Sequence, residues 1–95
     1  MIVWSPNEIS RFRIKDFGDD GAVVYDIASG DTHAVDALAM ELLQMLLERA
    51  PRTADSISAD LGRLLEGETE ADVVDAVDRG LAQLQRLGLV LGSAH

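Results

Sequence analysis

The first third of the chain alternates polar and apolar residues with a period of two, and the remainder follows a helical period. Arg11, Phe12, Arg13, Ile14 and Lys15 place Phe12 and Ile14 on one face and three cations on the other, the pattern of a half-buried strand. The turn-forming run Gly18, Asp19, Asp20, Gly21 follows. Residues 22–27 are rich in β-branched and aromatic side chains and predict a second strand. Ala28, Ser29 and Gly30 interrupt it, with Gly30 suited to the left-handed position of a short bulged hairpin loop. Asp31, Thr32, His33, Ala34 and Val35 return as a third strand, completing an antiparallel meander.

Three helices are predicted beyond this point. Asp36 serves as N-cap of the first, with Val35 and Met40 placed as a hydrophobic staple. Its apolar stripe is Leu38, Leu42, Met45 and Leu46, and Pro51 ends it near Ala50. The second helix follows Thr53, carries Ala54, Ile57, Leu61, Leu64 and Leu65 on one side, and stops at Gly67. The third starts at Thr69, with Asp72 in capping-box position, and its stripe is Val74, Val77, Leu81 and Leu84. Gly88 is the expected C′ residue, and Leu89, Val90 and Leu91 run on as a short apolar tail. Residues 1–10 and 93–95 read as the loosest parts. The predicted fold is α+β and winged-helix-like, a three-stranded β-meander followed by a three-helix bundle in the order β-β-β-α-α-α.

Composition narrows the function. The 95 residues suffice for one domain with a modest core. The absence of cysteine removes disulfides, thiolate nucleophiles and cysteine-based metal sites. No basic segment followed by a long apolar one opens the chain, and no apolar run approaches the roughly 20 residues of a membrane span. A cytoplasmic protein is expected. The formal charge of −9 argues against nucleic acid and against anionic membrane surfaces, both of which favour cationic partners. It suits either plain solubility or a basic partner. No glycine-rich phosphate loop, nucleophile motif or cofactor fingerprint is present. Asp31 and His33 share a strand face, but two candidate ligands make a poor metal site. No catalysis, cofactor or metal is expected.

The run Val23, Val24, Tyr25, Asp26, Ile27, Ala28, Ser29, Gly30, Asp31, Thr32, His33, followed by a leucine-rich helix, resembles the PqqD-like peptide chaperones, the recognition elements for ribosomally made peptides. The Gly-Asp-Thr-His part is closest to the branch associated with an HPr-kinase-related system. Residues 53–61 and 81–90 resemble that family's second-helix and closing segments. The resemblance spans residues 4–91 and implies a single peptide-binding domain. It implies that the leader segment of a precursor peptide is added as a strand, in a groove between the third strand and the third helix. The complex would then be presented to a modifying enzyme, kinase-like for this branch.

The residues were weighed against that job. Strand addition needs a free edge, and Asp31, Thr32, His33, Ala34 and Val35 form one without proline. The third helix contributes its stripe, including Val77 and Leu84, and a flank of Val73, Ala76, Gly80, Gln83 and Leu87. Gly80 either admits a bound backbone or packs on the sheet. Val73 and Leu87 are either anchor pockets or core. The acids Glu66, Glu68, Glu70, Asp72, Asp75 and Asp78 either complement the helix dipole or attract a basic peptide. The basic stripe of Arg11, Arg13 and Lys15 either guards an edge or docks the partner enzyme. The peptide-binding expectation thus rests on Asp31, Thr32, His33, Ala34, Val35, Val73, Ala76, Val77, Gly80, Leu84 and Leu87. Two alternatives stay open: a winged-helix DNA-binding regulator, and an interaction domain whose short edge pairs weakly with a second copy.

Overall fold

Alternation in residues 12–35 becomes an antiparallel sheet because one face of each strand meets the helices. The computed structural model describes residues 1–7, 12–65 and 67–94. Arg11 of the predicted first strand, Glu66 of the acidic run and the terminal His95 lie outside the described residues. Strands β2 (Phe12–Asp16), β3 (Ala22–Asp26) and β4 (Thr32–Val35) pair in the order β2-β3-β4. Phe12 and Ile14 are half-buried while Arg13 and Lys15 are exposed, as their alternation requires. The β3–β4 loop is held by the buried Asp26 carboxylate, which accepts from the Ala28 and Ser29 amides at 3.0 and 3.4 Å. Gly30 closes that loop at φ +79°, a conformation that disfavours a side chain.

Each helix begins at a capped residue. The Asp36 carboxylate accepts from the Ala39 amide at 2.7 Å and starts α1 (Ala37–Glu48), with Val35 and Met40 both buried as a staple requires. Thr53 accepts from Ser56 to start α2 (Ala54–Leu64), and Thr69 accepts from Asp72 to start α3 (Glu70–Arg86), both at 3.1 Å. α3 ends in a Schellman motif: the Gly88 amide donates to the Gln85 carbonyl and the Leu89 amide to the Leu84 carbonyl, each at 3.0 Å. This motif turns the chain away from the helix axis and into a last strand.

That last strand departs from the predicted order. β6 (Val90–Ala94) pairs with β1 (Ile2–Pro6), which also pairs with the two-residue β5 (Arg52–Thr53), giving a second antiparallel sheet ordered β5-β1-β6. The fold is therefore α+β with two small sheets and three helices. Strands interleave with helices in place of a clean β-β-β-α-α-α sequence. Residues 2–6 and 93–94, expected to be loose, are paired at Ile2–Ala94 and Val3–Ser93. The physical reason is that this sheet is held by partners far apart in sequence. Gly92 and Ser93 have low strand propensity, and β5 is too short to show a period.

The core joins the inner face of β2-β3-β4 to all three helices, with Leu42, Leu43, Leu46, Ile57, Leu61, Leu81 and Leu84 buried at its centre. Two predicted stripes shift. Leu64 is 65% exposed, because α2 turns it to solvent beyond Leu61. On α3 the buried set is Val73, Val77, Gly80, Leu81 and Leu84, while Val74 is half-buried. No helix of the described residues is long and apolar enough to cross a membrane.

Candidate functional site

The β4 edge can be derived from the register. β3 and β4 pair as Tyr25–Thr32, Val24–His33, Val23–Ala34 and Ala22–Val35. The Asp26 amide donates to the Asp31 carbonyl at 2.8 Å, so the Asp26–Asp31 pair is a bonded one. In an antiparallel ladder bonded and non-bonded pairs alternate. Val24–His33 and Ala22–Val35 are then bonded as well. The amides and carbonyls of Thr32 and Ala34 point away from β3, toward the side of β4 where no strand of the described residues lies. No strand of the described residues pairs with this edge.

This border differs from its counterpart across the sheet. The β2 edge carries exposed Arg13, Lys15 and Asp16, charges that deter edge-to-edge pairing. Thr32, His33, Ala34 and Val35 carry no formal charge when His33 is neutral. Among the described residues β6 also has an unpaired edge. An open depression of about 490 Å³ lies where the chain leaves β4 for α1. It is bounded by Asp36 and Leu38 on one side and by Ala76, Arg79, Gly80, Ala82, Gln83 and Arg86 of α3 on the other.

The predicted site residues do not all meet in one place. Thr32 and Ala34 present backbone to the edge, and Ala76 and Gly80 line the groove. Asp31 lies before β4, and its backbone is already engaged: its carbonyl accepts from Asp26 and its amide donates to Ser29 Oγ at 3.2 Å. His33 and Val35 pair inward to β3, with His33 half-buried and Val35 buried. On α3, Val77 and Leu84 are corrected from binding residues to core, since both are wholly buried. Val73 is buried as well and sits by the α2–α3 junction, away from this groove. Leu87 is half-buried against the core at the α3 C-cap.

Gly80 needs a second correction. A Cβ placed on it would collide with Leu42 Cδ1 of α1, so its missing side chain admits a helix, neither a bound backbone nor the sheet. Arg79, Arg86, Asp36 and Leu38 were not foreseen as groove residues. Positions 76, 79, 83 and 86 do recur at helical spacing, and that was the available signal.

The groove chemistry is polar and cationic at its rim. Arg79 Nε lies 3.2 Å from Asp75 Oδ2, with both side chains largely exposed. Arg86 has no ion pair among the described residues. Asp36 is occupied in capping α1. No cluster of three or more metal-ligating side chains occurs among the described residues, so Asp31 and His33 gain no third partner there. An ion network centred on the buried Arg52 lies elsewhere: Arg52 of β5 donates to the Ser56 carbonyl at 2.9 Å and pairs with Asp60, which also pairs with the exposed Arg63.

Comparison with protein-family models, with curated proteins and with solved structures gave no match.

Proposed function

We propose that this chain is a non-catalytic peptide chaperone, winged-helix-like in the layout of β2–β4 and the three helices. It takes the leader segment of a ribosomally made precursor peptide as an added strand and presents it to a modifying enzyme, kinase-like by the resemblance stated above. The observation that carries the reading is the border of β4, which no described strand pairs with, together with a groove against α3 that begins at Asp36, the residue after β4. Backbone bonds to Thr32 and Ala34 would supply sequence-independent affinity, and the groove would sort side chains. A four-residue strand offers few such bonds, which suits a transient complex that must hand its peptide on.

Duplex binding is the weaker reading. The first half of α3 carries Glu70, Asp72, Asp75 and Asp78, which would repel phosphates. Affinity for a DNA duplex at low salt would revive it.

The test is titration of the ¹⁵N-labelled chain with peptides encoded by short reading frames flanking its gene. The expected result is a shift of the Thr32 and Ala34 amides together with those of Ala76 to Arg86. Shifts confined to residues 1–7 and 90–94 would refute strand addition on β4.

A further inference from the structure

In a chain of net charge −9, the groove beside β4 is walled by two arginines. The charges of α3 divide along its length: Glu70, Asp72, Asp75 and Asp78 occupy the first half, and Arg79 and Arg86 the second. The helix dipole accounts for that order along the axis. It does not account for both guanidiniums lying on one face, seven residues apart, at the mouth of the same depression. Among the described residues the only carboxylate lining that depression is Asp36, which caps α1. Arg86 has no ion pair among the described residues. The Arg79–Asp75 contact is an exposed i,i+4 pair, weak and readily exchanged.

We infer that the groove selects acidic peptides, with a carboxylate of the added strand pairing to Arg86 and a second to Arg79. This rests on the strand-addition reading and gives its ligand a chemistry. Arg79 and Arg86 are separated by about 10 Å along the helix axis. Side chains on the α3-facing side of an extended strand recur about every 7 Å. Two acids spaced two or four residues apart therefore bracket the arginine spacing, and the flexible guanidinium stems take up the difference. The small Ala76 leaves room between the α3 wall and a bound strand. The acidic first half of α3 then acts as a filter at the other end, repelling a ligand placed out of register. Net charge alone leaves plain solubility and a basic partner both open, because it averages over faces that a ligand does not meet together.

The experiment is selection of a displayed library of random dodecapeptides on the intact chain, followed by titration of one enriched peptide into the ¹⁵N-labelled protein. The expected outcome is enrichment of Asp or Glu at alternate positions, with shifts at Thr32 and Ala34. The R79E/R86E variant should lose at least tenfold in affinity for that peptide, while R13E/K15E, an equal charge change on β2, should leave it unchanged. Exchanging the peptide's two acids for lysine should restore binding to the R79E/R86E variant. Enriched peptides that shift β4 without any acidic bias would overturn the charge assignment and leave strand addition standing. Peptides that bind without moving β4, or no enrichment at all, would overturn both.

Discussion

Gly80 on α3 faces Leu42 on α1 so closely that any side chain at position 80 would overlap the Leu42 Cδ1 methyl. Leu42 is itself wholly buried, so the methyl has little room to yield. Two effects oppose each other in Gly80→Ala. Helix propensity favours alanine by about 1 kcal/mol. Overpacking a filled core costs about 1–3 kcal/mol. The net expectation is destabilisation by about 1 kcal/mol in urea unfolding. Coupling to Leu42→Ala should be favourable, because removing the methyls opens space for the new one. A stabilised single variant would show that the two helices tolerate separation.

The outward and inward positions of β4 should respond differently to proline. At Ala34 the amide points away from β3, so Ala34→Pro breaks no ladder bond and should cost under about 1 kcal/mol of stability. It should nonetheless abolish strand addition, since a donor to the incoming chain is gone. At His33 the amide bonds across to Val24, and His33→Pro should cost about 3 kcal/mol. Denaturation curves and peptide affinity measured on both variants separate fold from function at adjacent residues.

Arg52 is 9% exposed and reaches Asp60 and the Ser56 carbonyl across the first turns of α2. Removing its charged partner leaves a guanidinium in a poorly hydrated place. Asp60→Ala should lower stability by about 2–3 kcal/mol. Arg63, the other partner of Asp60, has a side chain 74% exposed, and Arg63→Ala should change stability by less than about 0.5 kcal/mol. Comparable losses from both would mean that Asp60, not Arg52, is the group that needs its partner.

Trp4 lies over Gly92, with ring carbons 3.0 and 3.1 Å from where a Cβ would stand. As the chain's one tryptophan it reports on the β1–β6 pairing. Gly92→Val should displace the ring, redden Trp4 fluorescence and cost about 1–3 kcal/mol. Unchanged emission would place the ring's environment outside the control of β6.

Much of the local structure was legible beforehand because it depends on neighbours in sequence. The three strands between residues 12 and 35, the loop glycine at 30, the caps at Asp36, Thr53 and Thr69 and the stop at Gly88 all follow from side chains within a few residues of the backbone they satisfy. The unpaired edge of β4 and the placement of Ala76 and Gly80 in the groove wall agree with the pattern read from sequence, whereas Arg79 and Arg86 carried no expectation. Val77 and Leu84 were misassigned because a helical stripe looks the same whether it meets a core or a ligand.

Periodicity and capping chemistry thus decide which segments form and where they end, since both act over one or two turns of chain. Long-range contact alone decides the rest. The first and last strands join because Trp4 and Gly92 fit each other, Gly80 is glycine because Leu42 comes from another helix, and the outer edge of β4 pairs with no other strand of the described residues. Those outcomes depend on the shapes of surfaces that meet only after folding, and no local pattern encodes them.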